Sequence, residues 1–163
     1  MLELIQAKVV VTGASGFIGS HMARRLVQEG AQVYILARES SDLWRIHDEL
    51  DRVKMVPGDI RDRGTLAKAM GKIQPDYVFH MAAYGVDSRQ RDWFQATETN
   101  VLGIVNLVSA LRDTDCRKLL NIGSGMEYGN KQEVISEDAT LAAPRRRPAS
   151  SLINWPTKTI WPW

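Results

Sequence analysis

An apolar run at 7–12 (AKVVVT) passes directly into Thr12-Gly13-Ala14-Ser15-Gly16-Phe17-Ile18-Gly19, and this junction constrains the chain more than any other feature. An uninterrupted run rich in β-branched residues predicts a strand buried on both faces. The stretch 16–29 then places Ile18, Met22 and Leu26 at helical spacing and stops at Gly30. Between strand and helix the glycines are spaced GxxGxxG. Gly13 permits the tight turn, Gly16 lets backbone amides approach a pyrophosphate, and Gly19 lets the helix pack on the sheet. The helix start offers free N–H groups and a positive dipole end to phosphates. Ser15, Phe17 and Ile18 complete the turn as candidate contacts. A turn that merely needs glycine is the plainer reading, but the flanking strand and helix favour a dinucleotide site.

The pattern continues as alternating strands and helices. Further strands are expected at 32–36, 53–56, 76–80 and 118–122, with helices at 41–50 (Ser41 or Asp42 near its cap), 62–70 (ending at Gly71) and 92–111. Such a series predicts an α/β fold, a Rossmann-like, doubly wound parallel sheet with helices on both faces. At the end of the second strand stands Leu36-Ala37-Arg38, where an acid often bonds the adenosine ribose. An arginine there can pair with a 2′-phosphate, so NADP is favoured over NAD, although Glu39 stands beside it. A solvated loop arginine is the alternative.

Composition removes several function classes. The 163 residues are 44% hydrophobic and 25% charged, enough for one buried core, and the net charge of +2 is too small to imply nucleic acid. From 144 to 163 the chain carries Arg145, Arg146, Arg147 and Lys158 with no acid, which leaves residues 1–143 with 17 cations against 19 acids. A single Cys116 cannot form an internal disulfide, and no Cys/His spacing suits a metal. No apolar run reaches the roughly 20 residues of a membrane span, and the first residues lack a secretory pattern. A cytoplasmic protein with no membrane and no nucleic-acid partner is expected.

Five motifs in order resemble the extended short-chain dehydrogenase/reductase family, in particular its nucleotide-sugar epimerases, dehydratases and reductases. They are TGASGFIGSHMARRL (12–26), GDIRD (58–62), His80-Met81-Ala82-Ala83, Asn100-Val101-Leu102-Gly103 and Ile122-Gly123-Ser124-Gly125-Met126-Glu127-Tyr128-Gly129, within residues 7–143. The resemblance implies that Asp59 and Ile60 lie along the adenine. It implies that Met81, Ala82 and Ala83 pass under the pyrophosphate and ribose, and that Asn100 steadies the sheet and the active-site backbone near the cofactor. It implies Ser124 as the catalytic hydroxyl and Tyr84 as a substrate contact, in a reaction that exchanges hydride between a sugar C4 and NAD or NADP. Read alone, Asp59 suits a turn after Pro57-Gly58, and His80 suits a buried strand histidine satisfied by backbone, not a catalyst. Tyr84 suits local packing.

The family's Tyr-x-x-x-Lys helix has no counterpart here. No tyrosine follows Tyr128, and Asn154-Trp155-Pro156-Thr157-Lys158 offers asparagine at the tyrosine position with a helix-breaking proline. Residues 1–143 are therefore expected to form the NAD(P)-binding domain. Residues 144–163 (PRRRPASSLINWPTKTIWPW) are expected to form an irregular tail on a chain that lacks the C-terminal substrate domain, the end being truncated or frame-shifted, with an intended short form as the alternative. The tail tryptophans suit covering a sheet edge or driving association, which leaves a homodimer open. The leading expectation is the cofactor-binding domain of a nucleotide-sugar enzyme, inactive by itself. The alternatives are a non-catalytic dinucleotide-binding sensor or scaffold, or an NADP-dependent carbonyl reductase acting on a non-sugar substrate.

Overall fold

The computed structural model describes residues 3–140, apart from 86, 88, 124–127, 130–134 and 137. Five strands, β1 (Lys8–Thr12), β2 (Gln32–Ala37), β3 (Lys54–Pro57), β4 (Tyr77–His80) and β5 (Lys118–Asn121), form one sheet in the order β3-β2-β1-β4-β5. Every pairing is parallel, with Thr12 beside Leu36 on one side and His80 on the other. The order reverses at β1, so the cleft outside the C-terminal ends of β1 and β4 is the switch point at which doubly wound sheets collect ligands.

Helices cover both faces, as the alternating pattern predicts. Helix α1 (Phe17–Gln28) and a 3-10 helix (Trp44–Arg52) pack Ala23, Leu26, Val27 and Ile46 against Val9, Val11, Val33, Ile35 and Phe79. On the other face, α2 (Arg63–Ile73) and α4 (Gly103–Leu111) set Leu66, Met70, Ile73, Leu107 and Leu111 against Val10, Leu36, Val78 and Leu119. The central strands thus bury both faces, which is why they read as continuous apolar runs.

Three local expectations need correction. The segment 41–50 is not an α-helix from Ser41 or Asp42; it is the later 3-10 helix, kinked at the fully buried Ile46 (φ −126). Asp42 accepts the Trp44 amide at 3.0 Å in a local turn and caps no helix. Gly71 does not end α2, because Ile73 is buried in the core and draws the helix on to Gln74, whose left-handed φ of 50 precedes Pro75. The long helix after Asp92 is divided into α3 (Trp93–Thr97), a π-helical turn (Glu98–Leu102) and α4. Such π-turns are frequent at functional sites.

Candidate dinucleotide site

The glycine turn sits at the switch point, and its three glycines answer to different constraints. Gly13 has φ +72, and a Cβ there would lie 2.6 Å from the Ala82 nitrogen and the Met81 carbonyl. A Cβ on Gly19 would lie 2.2 Å from the Gly13 oxygen, so only glycine lets α1 begin this close to the turn. Gly16 is different: it is exposed and extended, and a Cβ would meet only the Gly13 oxygen at 3.2 Å. The internal packing asks little of Gly16, and its free side faces outward.

Helix α1 starts here without a side-chain cap and without an acid in its first turn. The Ser20 amide closes onto the Gly16 carbonyl at 3.0 Å, so the amides of Phe17, Ile18 and Gly19 precede the first intrahelical bond. Phe17 and Ile18 stand 70% and 57% exposed beside them. An uncapped helix start with an open glycine in front of it fits an anionic group such as a pyrophosphate.

The neighbouring strand end is tied to the turn by a buried network. The Thr12 hydroxyl accepts the amides of Met81 and Ala82, both at 3.2 Å, and lies 2.6 Å from His80 Nδ1. With both lone pairs engaged, the hydroxyl proton goes to Nδ1, so the ring carries its own proton on Nε2 and is neutral. Burial agrees, pushing the imidazole down to about 4. His80 is indeed a satisfied strand histidine, but its partner is the Thr12 side chain, not the backbone expected from sequence.

On the other side of β1 the groups are charged and lie at the surface, Asp59 half-buried among them. Arg38 follows β2 at the surface. Asp59, just past β3, accepts Arg61 Nε at 3.1 Å and Nη2 at 2.7 Å, and also the Arg61 amide at 2.9 Å. Arg61, with Arg38 adding a smaller attraction, holds the Asp59 carboxyl below the ordinary carboxylate range. Arg61 also reaches Glu98 of the π-turn at 3.7 Å, and Asp59, Arg61, Asp62 and Glu98 line an open depression of ≈ 280 Å³. Ile60 points inward and is buried; a Cβ on Gly103 would meet its Cδ1 at 2.8 Å, which gives the glycine of Asn100-Val101-Leu102-Gly103 a packing reason.

The long helix contributes paired anchors. Asn100 grips the Tyr84 backbone, accepting its amide and donating to its carbonyl, both at 2.8 Å. Asn106 donates to the carbonyls of Ile60 and Arg61 at 3.2 and 3.1 Å, a role that sequence reading missed. The Tyr84 hydroxyl accepts the Asp92 amide at 3.3 Å and so helps close its own loop. The structure therefore gathers Gly13, Ser15, Gly16, Phe17, Ile18, Gly19, Arg38, Asp59, Met81, Ala82 and Ala83 along the C-terminal sheet edge. Asn100 and Tyr84 stand together at one end of it. Ser124 lies outside the described residues, as do residues 141–163.

A family model described as the NAD dependent epimerase/dehydratase family matches residues 9–151. The chain belongs to that family. It is 32% identical over 136 residues to a UDP-glucose 4-epimerase of Lactobacillus helveticus, across 82% of this chain and 41% of that protein. Among solved structures it resembles the Bordetella bronchiseptica enzyme WbmH in complex with NAD+ (29% identity, TM-score 0.69, 84% of this chain and 46% of that one). It also resembles a UDP-glucose-4-epimerase from Stenotrophomonas maltophila with bound NAD and formylated UDP-arabinopyranose (29% identity, TM-score 0.73, 90% and 45%). The chain spans less than half the length of each of these three proteins. No helix among the described residues is long and apolar enough to cross a membrane.

Proposed function

We propose that the chain binds an NAD-type dinucleotide across this sheet edge, as the cofactor-binding part of a nucleotide-sugar epimerase or dehydratase. The observation that carries the reading is the outward-facing Gly16 before the uncapped start of α1. There the amides of Phe17, Ile18 and Gly19 would hold the pyrophosphate, and Ser15 would border it. Arg38 and Asp59 would flank the adenosine, with Ile60, its side chain buried in the core, adjoining it only through its backbone. Met81, Ala82 and Ala83 would run beneath the ribose, with Asn100 keeping the adjoining backbone in place. Arg38 in place of an acid favours NADP.

The bound dinucleotide would supply the hydride acceptor. A uridine-type nucleotide sugar is the proposed substrate class, on the strength of the epimerase relatives, with Tyr84 bordering it and Ser124 polarising its reacting oxygen. Proton transfer needs a base that no tyrosine after Tyr128 provides, and loss of a general base typically lowers rates by about 10²–10⁴. By itself the chain is therefore proposed to hold cofactor without turning over sugar. Asn154 at the expected tyrosine position also suits a second reading, a non-catalytic dinucleotide sensor or scaffold.

Gly16→Val tests the site. A branched side chain would block the approach to the α1 amides. Calorimetry should show NAD and NADP binding lost while circular dichroism keeps the native spectrum. Unchanged affinity would sink the cofactor assignment.

A further inference from the structure

Strand β3 is an edge of the sheet, and among the described residues it pairs only with β2. Sheet hydrogen bonds therefore fix the chain that leaves it on one side only. That chain is the turn 59–62. The Asp62 amide donates to the Asp59 carbonyl at 3.0 Å, and the Arg61 amide donates to Asp59 Oδ1 at 2.9 Å. Asp62 then caps α2, accepting the amides of Gly64 and Thr65 at 2.9 and 3.1 Å. These bonds shape the turn, but they do not fix its place against the sheet.

Helix α4 supplies that second constraint from one of its faces. Gly103 leaves a socket for the buried Ile60, since a Cβ there would lie 2.8 Å from Ile60 Cδ1 and 3.0 Å from Cγ1. One helical turn further on, Asn106 directs its side-chain amide at two successive carbonyls, Ile60 at 3.2 Å and Arg61 at 3.1 Å. The socket holds the apolar side chain of the turn, and the amide holds its backbone. The Asp59–Arg61 ion pair cannot do this, because both partners belong to the turn itself. Glu98 reaches Arg61 only at 3.7 Å and is 55% exposed, so water screens that link.

We propose that Asn106 is a positioning residue for the adenosine half of the dinucleotide. Through the Ile60 and Arg61 carbonyls, with Gly103 as the socket beside it, Asn106 holds the Asp59 carboxylate where the base binds. The inference rests on the dinucleotide reading above, and Asn106 acts through Asp59 rather than by contact. A turn already held in place loses less freedom when the ligand arrives, and that difference appears as affinity.

The test is calorimetry on the full chain with two half-ligands, 5′-AMP and nicotinamide mononucleotide. Both carry a phosphate for the α1 amides, and only the first carries adenine. Asn106→Leu is similar in size and removes both donations without adding charge. It should lower 5′-AMP affinity about tenfold and change nicotinamide mononucleotide affinity by less than about twofold. Asn106→Gln keeps the amide and should recover most of the 5′-AMP affinity. Gly103→Ala fills the socket instead and should show the same selective loss, which keeps the proposal testable should Asn106→Leu loosen the fold. Unchanged 5′-AMP affinity in Asn106→Leu, with only a lower unfolding midpoint, would overturn the proposal and leave Asn106 a brace for the core. Equal losses for the two half-ligands would overturn it as well. Wild type that binds neither half-ligand nor NAD overturns the dinucleotide reading, and this inference with it.

Discussion

The two flanks of β1 solve the same positional problem in opposite ways. Toward β4, the Thr12 hydroxyl, the neutral His80 ring and the amides of Met81 and Ala82 form a buried network beside a glycine that tolerates no side chain. Toward β2 and β3, Arg38, Asp59 and Arg61 stand at the surface in ion pairs and open charge. Buried polar groups are costly to leave unpaired, whereas exposed ion pairs contribute little to stability. The β4 flank should therefore govern folding, and the β2/β3 flank should govern recognition with little effect on folding.

Glycine substitutions should separate these roles most widely. Gly19→Ala forces a Cβ into the backbone of the turn, where 2.2 Å is available. It should lower the free energy of unfolding by about 3 kcal/mol or more. Gly16→Ala meets one oxygen at 3.2 Å and should cost less than about 1 kcal/mol. Urea melts of the two variants decide the matter, and equal losses would show that the turn does not discriminate between its glycines.

The hydroxyl network comes next. Thr12→Val leaves His80 Nδ1 and the Ala82 amide without their partner and should cost about 2 kcal/mol. The same network predicts a pH dependence. His80 titrates at about 4 in the fold against 6.5 ordinarily, so between those values the unfolded chain binds more protons. Its contribution should be complete above pH 6.5 and fall away as pH drops toward 4, by on the order of 3 kcal/mol. The carboxyl groups of Asp59, Asp48 and Asp62, all held below their ordinary value of 3.8, lose their contribution at still lower pH. A stability curve flat from pH 7 to 4.5 would contradict the buried neutral histidine.

The same contrast explains what could be read from sequence. The glycine turn, the strands and most helices follow from period and composition, which are local signals. The Thr12–His80 pair joins residues 68 apart, Arg45 reaches Ser15 across 30 and Asn106 reaches Ile60 across 46, and no periodicity reports such contacts. Asn100 could be singled out because asparagine is a poor choice within a helix, yet its partner, the Tyr84 backbone, appears only in three dimensions. Segment 41–50 misled because its apolar spacing suits an α-helix, whereas Arg24 and the burial of Ile46 hold a later, tighter helix against α1.

The smallest effect is expected where the charges look most elaborate. Arg61 wraps both oxygens of Asp59 and extends to Glu98, linking the end of β3 to the π-turn. The Arg61 and Asp59 side chains are 34% and 25% exposed, so water screens much of their attraction. The backbone beneath is held independently by Asn106. Arg61→Ala should consequently change unfolding free energy by less than about 1 kcal/mol in urea melts. It should still release the Asp59 carboxyl, whose titration, followed by its carboxyl-carbon NMR shift, should move up toward 3.8. A loss beyond about 2 kcal/mol would show that this flank carries the fold as well. An unmoved Asp59 titration would show that Arg38 and the Arg61 amide suffice to hold the carboxylate for its proposed place along the adenine.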